Sequence, residues 1–289
     1  MKQRNVKNKN FVFVGGTQGM GKAAALALAE RGASILVLGR NQAAGDNVVE
    51  LALKNGANTA EFVQVDISTV QGIKHAVDKI KNWQPQIHGL MHSAMTGFNK
   101  KIITEDELEF GFALQYFGRA MIDELLVEQL AASGDGRIVH LSANIPTIFT
   151  KIDLDDLQFK TRKWGFYKSL LGSNHLSMLY LQQAAQRYKD LPISYTAACV
   201  TAVKTQIMSD PKMPLLMRLA VKLGTTAEIG AKNSIAILTC ENSDNLKAVK
   251  LPSAKRFTPK KLAYNKTDAE NLWVKTLALA REKKLIPMS

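Results

Sequence analysis

Residues 11–21 read Phe-Val-Phe-Val-Gly-Gly-Thr-Gln-Gly-Met-Gly, and an alanine-rich stretch from Lys22 to Arg31 follows at once. Four apolar residues are too few for a helix and suit a buried strand. The glycines behind them each have a physical reason. One permits a tight turn, one lets backbone amides approach a diphosphate, and one lets the following helix pack close to the strand. The free N–H groups and dipole at that helix start attract the diphosphate. The expectation is a dinucleotide-binding loop made by Gly15, Thr17, Gln18, Gly19, Met20 and Gly21. The alternative is a glycine-rich turn in an α/β protein that binds no nucleotide.

The rest of the chain repeats the strand-then-helix alternation. Apolar runs at Phe11–Val14, Ile35–Leu38, Phe62–Val65, Leu90–Met91, Ile138–Leu141 and Ile193–Val200 read as buried strands. Segments with helical spacing lie between and after them, at 22–31, 41–55, 69–82, 104–132 and 166–188. Such alternation gives a parallel sheet covered on both faces, and right-handed crossovers make it doubly wound. The fold class expected is therefore α/β: a three-layer α/β/α Rossmann fold spanning residues 1–289 as one domain. Residues 209–223 read as an inserted helix and 267–284 as a terminal one.

The second strand runs out through Leu38-Gly39-Arg40-Asn41, about where an NAD enzyme places an acid on the ribose hydroxyl. An acid there would repel a 2′-phosphate, whereas a guanidinium binds it through charge-assisted hydrogen bonds. Arg40, with Asn41 beside it, therefore favours NADP(H). The alternative is a surface arginine on a loop. Asp66-Ile67, at the end of the third strand, is placed to flank an adenine.

These elements together resemble the short-chain dehydrogenase/reductase family. The stretches Thr104–Gly118 and Gly136–Ser142 resemble the fourth helix and fifth strand of its retinol-dehydrogenase-like branch, and Thr226–Ala231 and Asn271-Leu-Trp resemble later elements of it. The resemblance implies that Ala94, Val203 and Thr205 meet the nicotinamide end of the coenzyme. It also implies a dimer or tetramer formed through the helices at 104–132 and 166–188. At the catalytic positions the chain departs from the family. The family's Asn-Asn-Ala-Gly is His92-Ser93-Ala94-Met95, its helix asparagine is Gln115, and its serine is Ala143. Its tyrosine and lysine fall at Leu170 and Asn174.

Carbonyl reduction needs a hydride and a proton. In the family a tyrosine gives the proton, a lysine lowers its pKa and a serine fixes the carbonyl. Leu170, Asn174 and Ala143 can do none of this. Tyr167, one turn before Leu170, is the first candidate for a replacement acid, the alternative being an ordinary aromatic at a helix start. Ser142 and Gln115 are candidates to hydrogen-bond a substrate carbonyl. His92 and His140, at strand ends, are read as structural, with a proton shuttle as the alternative; His175 is read as structural. Residues 207–224 fall where the family places its substrate lid. Met208, Met213, Leu216, Met217 and Leu219 would give it a soft apolar wall suited to a small hydrophobic substrate.

Three functional readings follow. The first is an NADP(H)-dependent oxidoreductase acting on a small hydrophobic carbonyl or enone. The second is a non-redox isomerase, cyclase or lyase on the same fold. The third is a non-catalytic NADP(H)-binding sensor or partner protein.

Composition narrows the setting. Two cysteines, Cys199 and Cys240, in 289 residues suggest no disulfide framework and no metal site. No stretch is long enough for a transmembrane helix, and the first ten residues lack a signal-peptide core; a cytoplasmic protein is expected. The net charge of +13 favours anionic partners. Part of it lies in a basic C-terminal elaboration, 245–289, where Lys247 to Lys266 contains no acid. This run reads as a solvated loop, with an anion-docking patch as the alternative. There is no motif for specific nucleic-acid binding.

Overall fold

The computed structural model describes residues 2–95, 98–143, 152–200, 203–204, 224–241, 249–250, 260–261 and 264–288. Thr205, residues 207–223 and much of the Lys247–Lys266 run therefore lie outside the described residues.

Six parallel strands form the sheet: β1 (Asn10–Val14), β2 (Ser34–Gly39), β3 (Thr59–Gln64), β4 (Gly89–His92), β5 (Gly136–Ala143) and β6 (Ile193–Val200). Two short strands extend it, β7 (Val249–Lys250) parallel to β6 and β8 (Lys260–Lys261) antiparallel to β7. The order is β3-β2-β1-β4-β5-β6-β7-β8. The chain reverses direction across the sheet between β1 and β4, so a crevice opens at their carboxyl ends, where doubly wound folds bind ligands. The three-layer α/β/α fold expected from the sequence is the one found. The basic run, read as a loop, instead contributes Lys250, Lys260 and Lys261 to the sheet edge.

Alternation along β1 sorts its side chains between two cores. Phe11 and Phe13 pack with α1 (Gly19–Ala29), α2 (Gln42–Lys54) and α7 (Ala227–Thr239), while Val12 and Val14 pack with the helices of the other face. Those are α3 (Val70–Trp83), α4 (110–125), α5 (Val127–Ala132), α6 (Phe166–Arg187) and α8 (Lys266–Glu282). Helix α7 was not among the helices read from spacing.

Helix α4 departs from the expected continuous helix over 104–132. Residues Ile103 and Glu109 pair in an isolated bridge, and Glu107 sits at φ 61°, so the chain turns before it coils. Glu109 then caps the helix, its carboxylate accepting the Phe112 N–H. The helix runs through Phe110–Phe112, widens to a π-helical turn at Ala113–Phe117, and continues as Gly118–Leu125. Such turns often mark functional sites, and Gln115 sits at the centre of this one.

Helix α8 lies along α6 and α4. Trp273 stacks on Tyr180 with ring centroids 5.7 Å apart, and Tyr116 shares a 2.6 Å hydrogen bond with Thr276. It takes up part of the surface on which the family resemblance places a subunit contact. Among the described residues no helix is long and apolar enough to cross a membrane.

Candidate coenzyme crevice and adjoining cavity

The turn after β1 is held by backbone bonds to both neighbouring strands. Gly15 donates to Leu38 O (2.8 Å), while Ser93 and Ala94 donate to Val14 O (2.8 and 3.0 Å). Gly15 is at φ 89°, and a Cβ there would stand 2.3 Å from Ala94 N. A Cβ on Gly21 would stand 2.3 Å from Ser93 Oγ and 2.7 Å from Gly15 O. Both positions therefore demand glycine, one for turn and close approach, the other for close packing of the helix start.

Above this turn lies an open crevice of about 830 Å³. Its floor and walls include Gly15, Thr17, Gln18, Gly19, Met20 and Gly21 from the loop, with Arg40, Asp66, Ile67 and Ala94 from the ends of β2, β3 and β4. Helices α2, α3, α7 and α8 start with a capping side chain, but Gln18 makes no such bond to α1, and the first turn of α1 holds no acid. The first amides of α1 stay available to an anion. A dinucleotide fits these features: glycines where its backbone cradle needs them, uncapped amides for its diphosphate and an arginine on the wall.

The other sequence candidates fall beside the crevice. Asn41 caps α2, its side chain accepting the Ala44 N–H at 2.9 Å. Val203 is buried, bridged to Thr225, and lies with Met20 against Gly230 at the start of α7. Arg40 is 54% exposed and 3.7 Å from the Asp66 carboxylate, which also accepts from Ser68.

A smaller hollow, about 290 Å³ with the space open to solvent counted, lies nearby. Gln115 and Leu170 line it, and Leu170 and Phe166 pack with Met95, which lines the crevice. Gln115 is 2% exposed and its Oε1 has no hydrogen-bond partner; the same holds for Ser142 Oγ, 5% exposed. Orphaned buried polar atoms of this kind call for a ligand or water. Asn174 turns inward on its own helix and donates to Leu170 O. Tyr167 goes elsewhere. It is 42% exposed and lines a separate hollow with Phe159, Lys163 and Leu171, away from Gln115 and Leu170. The two residues are about 60° apart around the helix, near enough to be neighbours, yet they line different hollows.

Sequence reasoning missed two acids, Glu109 and Asp123, and the groups they organise. Glu109, 2% exposed, lines the second cavity; Oε1 accepts from the Trp164 indole (3.1 Å) and the Ser169 hydroxyl (2.9 Å). The second group lies under the crevice. Asp123 accepts His92 Nε2–H at Oδ1 and His140 Nε2–H at Oδ2, each at 2.8 Å, with all three side chains fully buried. Burial holds the His140 imidazole down to about 4 and lowers that of His92. Burial pushes the Asp123 carboxyl up, and the two imidazoles outweigh it and keep the pKa below its usual value. Both histidines are thus neutral donors, and the buried Arg119 supplies the opposite charge. The three residue types could ligate a metal, but hydrogen bonds already join their ligand atoms and a guanidinium lies nearby.

Comparison with known proteins completes the assignment. The family model described as short chain dehydrogenase matches residues 9–147. Retinol dehydrogenase 12 of Mus musculus is 26% identical over 276 residues, covering 93% of this chain and 85% of the relative. Retinol dehydrogenase 13 of Homo sapiens is 23% identical over 288 residues, covering 95% and 85%. Among solved structures, a short-chain type dehydrogenase/reductase from Mycobacterium ulcerans superposes with a TM-score of 0.65 at 18% identity, over 89% of this chain and 94% of that one. A 3-oxoacyl (acyl-carrier-protein) reductase from Agrobacterium tumefaciens, with NADP bound, gives a TM-score of 0.67 at 14% identity, over 85% and 93%.

The chain is similar in sequence and in fold to the short-chain dehydrogenase/reductase family.

The curated relatives it matches over most of its length point to the retinol-dehydrogenase-like branch of that family. Short-chain dehydrogenases bind nicotinamide coenzymes. The second cavity has an acid, Glu109, in its lining, with Leu170 beside it.

Proposed function

We propose that this chain is an NADP(H)-dependent oxidoreductase whose substrate enters the cavity between α4 and α6. The observation that carries this is the crevice: uncapped α1 amides face it from one side and the exposed guanidinium of Arg40 from another. The amides suit a diphosphate and the guanidinium a 2′-phosphate. The NADP held by the Agrobacterium reductase supports the same preference. Thr17, Gln18, Gly19 and Met20 would hold the diphosphate, Arg40 the ribose phosphate, and Asp66 with Ile67 the adenine. Ala94 and Val203 would flank the nicotinamide, which supplies hydride. The apolar lining of the second cavity (Ile102, Phe110, Phe166, Leu170) favours a small hydrophobic substrate. Gln115 and Ser142 carry the free polar atoms that could orient it.

The test is a fluorescence titration with NADPH and NADH, repeated on Arg40→Ala. NADPH should bind at least roughly tenfold tighter, and the variant should lose that margin while keeping its NADH affinity. Equal affinities in the native chain overturn the NADP(H) assignment.

Leu170 and Asn174 favour a second reading, a protein that binds NADP(H) without turnover. A panel of carbonyl, enone and imine substrates separates the two: binding with no NADPH oxidation by any of them selects the second. The buried thiols Cys199 and Cys240 fit a reducing compartment, and we place the protein in the cytoplasm.

A further inference from the structure

The second cavity has three buried polar side chains among apolar ones. Ser169 donates to Glu109, while Glu109 and Gln115 carry acceptors. Glu109 bonds the Phe112 amide, the Trp164 indole and the Ser169 hydroxyl, all neutral donors, and no cation pairs with it among the described residues. Gln115 Oε1 has no hydrogen-bond partner among the described residues. Buried carboxylates are normally paired with a cation, and buried acceptors with a donor. The walls supply the faces and edges of Phe98, Phe110, Trp164 and Phe166, with Phe98 and Phe110 in edge-to-face contact at 5.1 Å. Aromatic rings around a carboxylate are the chemistry that holds an organic cation. Lys100 also lines the cavity, but it is exposed, and no bond joins it to these acceptors among the described residues.

The geometry points to this cavity as the seat of an organic cation. Resting on the hydride-transfer reading above, it points to an iminium, a protonated or N-alkylated imine, as the substrate class. A ketone needs a proton as well as a hydride, and Leu170 offers none where the family has its tyrosine. An iminium arrives with its positive charge in place. Its carbon takes hydride from the reduced nicotinamide and a C–H bond forms. The C=N π pair moves onto nitrogen, the product is a neutral amine, and the coenzyme is left oxidised. No proton from the protein is consumed. The Glu109 carboxylate recruits the cation, the rings hold it, and Gln115 Oε1 accepts from the N–H of a protonated imine.

Calorimetric titration without coenzyme tests the site, using N-methyl-dihydroisoquinolinium against tetralone, a neutral ketone of similar shape. The iminium should bind at least roughly tenfold tighter. Glu109→Gln, which keeps an oxygen for the Phe112 amide, should bring the two ligands to equal affinity. Phe98→Leu should weaken the iminium several-fold, on the order of one lost cation–π contact, and leave tetralone unchanged. Equal binding by the native chain, or a preference that survives Glu109→Gln, overturns the cation site. NADPH oxidation by the iminium and not by tetralone supports its reduction. Selective iminium binding without oxidation, in a protein shown to bind NADPH, overturns that step. Failure to bind NADPH overturns the parent reading and leaves the calorimetric preference standing by itself.

Discussion

Arg119 and Asp123, one turn apart on α4, stitch the ends of β4 and β5 together. Arg119 donates to Ala94 O (2.8 Å) and Leu141 O (2.9 Å), while Asp123 takes His92 from β4 and His140 from β5. Ala94 and Leu141 both line the crevice, so this buried pair of charges holds part of its lining in place. Asp123→Asn leaves Arg119 charged in the core with its opposite charge removed. The expected cost is about 3–5 kcal/mol, or a fall in Tm on the order of 10 °C, read by calorimetric melting. Adding Arg119→Met to that variant should recover part of the loss.

The same cluster makes the fold sensitive to acid. Burial holds His140 down to about 4, below the 6.5 of an unfolded chain, so the unfolded state binds more protons between those values. Stability supplied by the neutral imidazole is intact above pH 6.5 and lost as pH falls through 4. The loss from this group is on the order of 3 kcal/mol. His140→Gln should flatten that part of the profile in urea titrations run across the window.

Glu124 works in the opposite direction. It accepts from the Tyr180 and Tyr188 hydroxyls at 2.7 Å each, and burial pushes its carboxyl up to about 7. The folded state binds more protons than the unfolded one between 4.5 and 7, so stability from this group is complete below 4.5 and gone above 7. Glu124→Gln stays neutral and still meets both hydroxyls. It should raise stability at pH 8 by about 1–2 kcal/mol and change little at pH 4.5, as seen in denaturant midpoints at the two values.

Two glycines at positive φ separate backbone strain from crowding. Gly134 is at φ 74° with nothing within 4 Å of a would-be Cβ, so Gly134→Ala should cost only about 1–2 kcal/mol. Gly15→Ala meets Ala94 N as well and must displace the β4 end. It should melt lower than Gly134→Ala and bind NADPH at least roughly tenfold more weakly, by melting and fluorescence titration.

Where the chemistry is local, the sequence was readable. Phe11–Gly21 shows strand, turn and helix within eleven residues, and the loop residues, with Arg40, Asp66, Ile67 and Ala94, line one crevice. Asn41 was readable only as a polar residue after a strand, and its side chain went to the nearest free amide, at the start of α2. The Asp123 cluster joins three elements far apart in the chain, and no spacing rule reaches across them. A hint existed in Arg119 and Asp123, charged residues four apart in the otherwise apolar run Ala120-Met121-Ile122; such a pair inside a helix that must be buried needs partners. Glu109 was hidden by a run of acids that looked like an ordinary first turn. Only the bend at Glu107 shows which of them starts the helix. For Tyr167, shared helical spacing suggested nearness to Leu170, but spacing does not say where a hydroxyl ends up.

Trp273 lying flat on Tyr180 has a consequence for how the chain is made. The aromatic flank of α4 and α6, complete once Arg187 has left the ribosome, stays bare until Lys266–Glu282 follows it out. Through that interval of translation a sticky surface waits for its cover, and a nascent chain stalled there is the species most exposed to aggregation or to chaperone capture.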